Sequence, residues 1–397
     1  MKQWYLIIAV VAAISFITAC SSEEPIVDNT RVGLSTAELV VSEDMGEFNT
    51  DIFKALVAQE DKNENLIISP LSAAMYLSMQ ANYCSENTQS QIFKALGSSN
   101  IDALNSFNAK MLASLGSLDK STTLTLANSV WYDHKYSLKA AAKENLSNHF
   151  STEFFPCDHN KPETKILVNN WIKENTEGKI TQFYDGKPFD SMVLNAMYFN
   201  SEWKDKFSER NTTKEKFHVG EKIYMVDMMK RLDGYEYLYG GENFTACRRE
   251  FGNGAFTCTF ILPDEGCDIN DYIANLSYED LADIEFNKVK CDLFVPKFEL
   301  SKTIDDCINI FASLGIYGLD TPLDVDSKNM TIQVKQESYI KLDENGAEVA
   351  ATTGDKVVLS PLDPNKHRFE LNRSFIFMIN ETSTNACILT GRISKFK

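Results

Sequence analysis

Apolar residues recur at helical spacing through the first third of the chain and at strand spacing through most of the rest. Phe48, Ile52, Phe53 and Leu56 fall on one face of a 3.6-residue period. Ser69-Pro70 reads as an N-cap followed by proline at the first helical position, and predicts a helix to about Ala81. Thr88 with Gln91 offers a capping box for the next helix, which Gly97 stops. A further helix is predicted around 161–175, carrying Ile166, Asn169, Asn170 and Trp171. Leu124, Leu126, Asn128 and Val130 alternate on one face of a strand, while 192–199 is almost continuously apolar, which suits a strand covered on both faces. The stretches 224–229, 255–262, 289–298, 331–342, 374–380 and 386–393 read as strands, with Asn253-Gly254 as a hairpin turn. No linker, repeat or low-complexity segment interrupts the chain after Gly46. Helices first and strands later predict one α+β domain over 46–397, on large, mostly antiparallel sheets.

The first twenty positions follow a different rule. Lys2 precedes an apolar run from Trp4 to Ile17, which ends in Thr18-Ala19-Cys20. A charged start, a short apolar stretch and small residues before a cleavage point make a secretory signal over 1–19; the run is too short to cross a membrane as a helix. Ile17-Thr18-Ala19-Cys20 resembles the bacterial lipobox, which implies lipid on Cys20; the alternative is a plain signal peptide with a chance cysteine. Ser21-Ser22-Glu23-Glu24-Pro25 has no Asp directly after Cys20, so inner-membrane retention is not signalled, and it resembles a surface-export tether. The expected location is the cell envelope, anchored in the outer membrane and facing the surface or the periplasm. Residues 20–45, polar and acidic beyond the cysteine, are expected to form a flexible tether.

Charge narrows the function classes. The 397 residues carry 39 Lys+Arg against 56 Asp+Glu, a formal charge of −17. Cleavage after residue 19 removes only Lys2 and leaves −18. Such a surface argues against nucleic acid and against a polyanion cofactor, both of which need clustered cations. Catalytic signatures are absent: no HExxH, GxSxG, P-loop or CxxC, and the five His do not cluster in sequence. A hydrolase could still assemble its residues from distant parts of the chain, so this lowers the enzyme reading without excluding it; no metal or cofactor is expected. Nine Cys are too few for a disulfide scaffold; Cys258, Cys291 and Cys387 lie on apolar strands and are expected as buried free thiols.

Two polar residues interrupt the strand pattern. Asn128 and Asn195 sit where an unpaired amide costs about 1–3 kcal/mol. They are either satisfied core amides or part of a polar cluster holding strands that later separate. The segment 343–366 is the other anomaly: small residues, then Val357-Val358-Leu359, then two prolines, between two strands. A connection of that length is uncommon unless functional or disordered.

Ser69-Pro70-Leu71-Ser72, Leu126-Ala127-Asn128, Asn169-Asn170-Trp171-Ile172, Thr176-Glu177-Gly178-Lys179-Ile180 and Leu194-Asn195-Ala196-Met197-Tyr198-Phe199 occur in this order. Trp203, Phe207, Thr212, Phe217, Met228-Met229, Ile261-Leu262-Pro263, Pro296-Lys297-Phe298, Leu314-Gly315-Ile316, Phe375-Ile376-Phe377 and Gly391-Arg392-Ile393 follow. Together they resemble the serpin family from about Phe48 to Ile393. Glu344-x-Gly346-x-Glu348-x-Ala350-Ala351-Thr352 resembles the hinge of that family's reactive-centre loop, to which Ala347 and Val349 also belong.

The resemblance implies the serpin fold, with helices packed on three β-sheets, a large central sheet and an exposed reactive-centre loop. It implies a monomeric inhibitor that forms a covalent 1:1 complex with a target protease, as the cleaved loop enters the central sheet. The alternative is a non-inhibitory surface lipoprotein of the same fold, acting as a binding module or a protease substrate. Carried over by position, Ser69, Ser72, Asn195 and Thr212 surround the sheet opening, and Glu344 pairs with Lys297 across its top. Gln336 stands where the family usually has His and can hydrogen-bond Asn195. Counting fourteen residues from Gly346 places the primary specificity residue at Ser360, before Pro361; shorter and longer counts give Leu359-Ser360 and Leu362-Asp363. These candidates suit an elastase- or chymotrypsin-like serine endopeptidase, or a papain-like enzyme. A trypsin-like one would need Lys356 or Lys366. Val349, in place of a usual Ala, and Asp355, which would point inward, are departures that bear on entry.

Overall fold

Helical spacing in the first third becomes a layer of helices in the computed structural model, which describes residues 30–319, 332–347 and 366–396. Helix α1 (Thr36–Gln59) buries Phe48, Ile52, Phe53 and Leu56, as their spacing predicts. Helix α2 (Pro70–Ala81) starts on Ser69, whose Oγ accepts from Ser72 N at 3.2 Å. Helices α3 (Glu86–Leu96), α4 (Ile101–Ser114) and α5 (Ala140–Phe150) complete this layer. Helix α6 (Pro162–Asn175) lies apart, over a second apolar cluster that contains Trp131, Trp171, Leu194, Tyr198 and Tyr339.

Fifteen strands are present among the described residues. They are β1 (Leu66–Ile68), β2 (Thr122–Asp133), β3 (Thr152–Cys157), β4 (Ser191–Glu202), β5 (Thr213–Val219), β6 (Lys222–Gly240), β7 (Phe244–Phe251) and β8 (Phe256–Pro263), followed by β9 (Asn287–Pro296), β10 (Phe298–Ile304), β11 (Ile332–Leu342), β12 (Gly346–Ala347), β13 (His367–Glu370), β14 (Phe375–Glu381) and β15 (Cys387–Ile393). One sheet runs β10-β11-β12-β4-β2-β3; the other runs β1-β15-β14-β8-β7-β6-β9-β13, with β5 beside β6. The main core lies between the sheets and under the helices, and Phe199, Trp203, Phe251, Phe256 and Phe260 pack there in stacked and edge contacts. With this core on one face and the α6 cluster on the other, β4 is covered on both sides, which explains its unbroken apolar run.

Several expectations shift. Three sheets were expected; among the described residues the strands form two hydrogen-bonded ones. The stretch expected at 224–229 is part of the much longer β6, which bends at an irregularity between Arg231 and Gly234 and joins what would be two smaller sheets. The strand expected over 289–298 ends at Pro296, and Phe298 opens a strand in the other sheet. Lys297 marks the crossover, with its N–H given to Asp227 O at 2.8 Å. The cap of α3 is Ser85, which accepts from Thr88 N at 3.2 Å, so Thr88 lies inside the helix; Gly97 ends it in the left-handed region, φ 70°. Cys258, Cys291 and Cys387 are buried free thiols, and burial pushes Cys291 up to about 12.

The expected tether 20–45 is shortened at its C-terminal end, because 36–45 already belongs to α1. Val41 and Met45 are buried there, and the buried Glu38 accepts from Lys110 Nζ (2.5 Å) and Ser35 N (2.6 Å). Burial opposes ionisation of Glu38, yet these hydrogen bonds hold its carboxyl at about 2. Burying Val41 and Met45 contributes about 2 kcal/mol each. A chain beginning at Gly46 should therefore lose about 4 kcal/mol against one beginning at Thr30, read as a lower urea midpoint. Equal midpoints would mean that 30–45 is tether after all.

Candidate functional site

The six-stranded sheet has a weak line. β11 pairs with β4 in parallel from Ile332↔Ser191 to Tyr339↔Tyr198, with no strand between them. Parallel ladders are slightly less stable per residue than antiparallel ones. Midway along this seam, Gln336, Asn195 and Asn128 stand in one row across β11, β4 and β2. Asn195 Nδ2 donates to Asn128 Oδ1 at 3.0 Å, and Asn128 Nδ2 donates to Phe150 O at 2.9 Å. Gln336 does not bond Asn195 as expected. Its amide closes a ring on the backbone of Ser69, accepting from N at 2.9 Å and donating to O at 3.0 Å. The unsatisfied N-terminus of α2 competes for it and wins. The row is thus bonded in two halves, with the seam between them: Asn128 is a satisfied core amide, while Asn195 is paired only through its Nδ2. Among the described residues, buried Ser72 Oγ, Asn195 Oδ1 and Ser338 Oγ have no hydrogen-bond partner. Each such atom costs about 1–3 kcal/mol, a penalty built into the closed sheet.

At the top of the seam the chain after β11 turns back. Gly346 and Ala347 form β12 between β11 and β4, antiparallel to both, with Ala347 opposite Leu342 and Ser201. Ala347 is fully buried. Gly346 has φ +152°, and a Cβ there would lie 1.9 Å from Ser201 O, so no other residue fits. Around this turn, Trp203 N and Nε1 donate to Asn345 O (2.7 Å) and Asp343 O (3.1 Å), and Phe207 N donates to Glu344 O (2.9 Å). The buried Glu344 carboxylate accepts from Lys297 Nζ at 2.6 Å and from Thr212 Oγ1 at 2.6 Å. Burial works against its ionisation, but these two donors hold it below the usual carboxylate range. Thr212 therefore belongs to the top of the sheet with Lys297, while Ser69, Ser72, Asn195 and Gln336 form the middle.

Lys366, where the described chain resumes, gives its Nζ to Asp233 (2.8 Å) and Asp292 (2.6 Å). That double ion pair removes it from the residues a trypsin-like enzyme might read. The remaining hinge residues Glu348, Val349, Ala350, Ala351 and Thr352, the scissile candidates Leu359, Ser360, Pro361 and Leu362, and Cys20 lie outside the described residues. Sequence reading assigned no clamp to the backbone of 343–345, because Trp203 and Phe207 reach it only through the fold. It also separated His134 and His159, which both approach the buried Asp133, at 3.7 and 3.3 Å.

The family model for serpins, serine protease inhibitors, matches residues 43–396. The chain belongs to the serpin family. It is 28% identical over 368 residues to the plasma serine protease inhibitor of Mus musculus, covering 88% of this chain and 89% of that protein. To Serpin-ZX of Arabidopsis thaliana it is 26% identical, over 87% and 96% of the two chains. Among solved structures, native tengpin, a thermophilic serpin, superposes with a TM-score of 0.80 over 92% of this chain and 96% of that one, at 24% identity. Thyroxine-binding globulin in complex with thyroxine gives 0.78 over 89% and 98%, at 20% identity, so the fold alone is shared with it. Serpin membership carries a protease-inhibitor role rather than an enzyme's, and proteases are the partners on which the family acts.

The clamp makes a measurable claim. Lys297→Ala leaves the buried Glu344 with Thr212 alone; because Lys297 is over a third open to water, the pair is worth about 1 kcal/mol. Conversion of the intact serpin to a heat-resistant inserted form should then be about fivefold faster, followed on native gels. Glu344 contributes at neutral pH and loses its contribution as pH falls through its lowered value, so the variant's excess rate should vanish in acid. An unchanged rate at pH 7 would show that the pair does not guard entry.

Proposed function

We propose that this serpin is an irreversible, suicide-substrate inhibitor of elastase- or chymotrypsin-like serine endopeptidases. The observation that carries this reading is Ala347, already seated between β11 and β4 in the direction a whole inserted strand would take. A protease serine attacks a carbonyl in 348–365, the peptide bond breaks, and the new amine leaves with the C-terminal fragment. The acyl-enzyme remains on the loop. Extension of β12 then replaces the parallel seam by two antiparallel ladders. At about 1 kcal/mol net per added bond, a dozen residues release on the order of 10 kcal/mol, comparable to the stability of a domain. That is sufficient to drag and distort an attached enzyme. Loop insertion in serpins is itself an established instance of strand addition to a sheet, so the principle is general and only its residues are particular to this chain. Ala347, Ala350 and Ala351 are small enough to enter between existing strands.

The address carried by 1–19 and Cys20 supports a lipoprotein held at the outer membrane, exposed at the surface or to the periplasm, and the family resemblance supports a monomer. A papain-like protease reading Leu359 in its second pocket is a further target class.

Incubation with elastase and chymotrypsin should give an SDS-stable complex, and Ala350→Glu should lower its yield several-fold while the loop is still cut. Mass spectrometry of the released C-terminal peptide should place the cut after Leu359, Ser360 or Leu362. Complete cleavage across a protease panel with no complex would favour the non-inhibitory reading.

A further inference from the structure

Glu337 is a buried carboxylate that the insertion chemistry does not use. It lies midway along β11, opposite Ala196 of β4 across the seam and opposite Thr303 of β10 on the other side. The residue is 2% exposed. Among the described residues its carboxylate accepts one hydrogen bond, from Thr303 Oγ1 at 2.5 Å, and forms no ion pair.

Its neighbours do not supply a counter-charge. On its own strand and face, Lys335 is committed to Asp305 at 2.7 Å and lies over the Phe183 ring, while Tyr339 donates to Glu299 of β10 at 3.0 Å. Asp305, just after β10, adds charge of the same sign. β4 presents Tyr198 on this face, and the α6 side adds Glu177, within the field of Tyr198, and Asp185, within the field of Lys335 and ion-paired with Lys187 at 3.0 Å. Burial raises the Glu337 carboxyl, Thr303 opposes that, Asp305 adds to it, and the result is about 7.

We propose that Glu337 makes opening of the β11–β4 seam proton-linked, so that the sheet admits a strand more readily above neutral pH than below it. This rests on the reading that the seam is where the loop enters. In the closed sheet the neutral acid is preferred; when β4 moves away, water reaches Glu337 from that side and the carboxylate is stabilised. Opening therefore releases a proton. A group whose value is raised in the closed state stabilises that state fully below its ordinary value, and the contribution is lost as pH rises to about 7. Closure is thus firm in acid and relaxed at pH 8.

The test uses the full chain and a synthetic peptide of its own residues 347–358, whose annealing to the intact protein is followed on native gels at fixed ionic strength. The rate should rise about tenfold from pH 5.5 to 8. Glu337→Gln, neutral and of the same shape, should anneal at the slow acid rate throughout; Glu337→Leu should do the same and serves if the Gln variant does not fold. Thr303→Val should move the midpoint upward. A flat wild-type profile, or a rise retained in both Glu337 variants, overturns the proposal alone. Annealing at no pH overturns the insertion reading and this proposal with it.

Discussion

The parallel pairing of β11 with β4 is the constraint on which the rest of the molecule depends. Two strands that could each hold an antiparallel neighbour are held to one another instead. Among the described residues, Ser72 Oγ, Asn195 Oδ1 and Ser338 Oγ beneath the closed sheet have no hydrogen-bond partner, and a carboxylate above it has no counter-ion. At the Gln336–Asn195 step it gains no side-chain bond across the seam. A closed state of this kind is held by backbone ladder and packing, and separating it breaks few specific side-chain contacts.

Opposed features meet at the top of that seam. Ala347 acts as a wedge whose backbone already pairs with both strands, and Gly346 permits the tight approach to Ser201 that puts it there. The Glu344–Lys297–Thr212 cluster and the indole and backbone of Trp203 hold the preceding residues in place. Trp203 in turn stacks on Phe251 at 4.3 Å, so the clamp is anchored in the main core. At the other end, Lys366 ties the chain to Asp233 and Asp292 before β13 begins.

Much of this was legible in the sequence because it rests on local rules. The period of α1, the Ser69-Pro70 start of α2, the Gly97 stop and the doubly covered β4 follow from spacing and capping alone. Errors came where a choice between partners decides. Ser85 and Thr88 are both capable caps, and only the helix origin distinguishes them. Gln336 had two acceptable partners, and the backbone of Ser69 at the start of α2, whose N–H has no helical acceptor, outcompeted Asn195. β6 outran its apolar pattern because hydrogen bonds continue through a bend that side-chain periodicity does not record. The Glu344–Lys297 pair came from resemblance rather than from spacing, since 47 residues of sequence separate two atoms 2.6 Å apart. Glu337 is silent in the sequence because one acidic residue in a strand of mixed polarity carries no local signal; its meaning comes from burial.

The insertion reading makes the closed sheet the higher-energy arrangement, and thermal unfolding of the same protein before and after a single proteolytic cut within 348–365 tests this most directly. Insertion predicts that the cut chain, still holding both fragments, unfolds at a midpoint tens of degrees above the intact chain, in keeping with on the order of 10 kcal/mol released. A cut chain that unfolds at or below the midpoint of the intact one would contradict it.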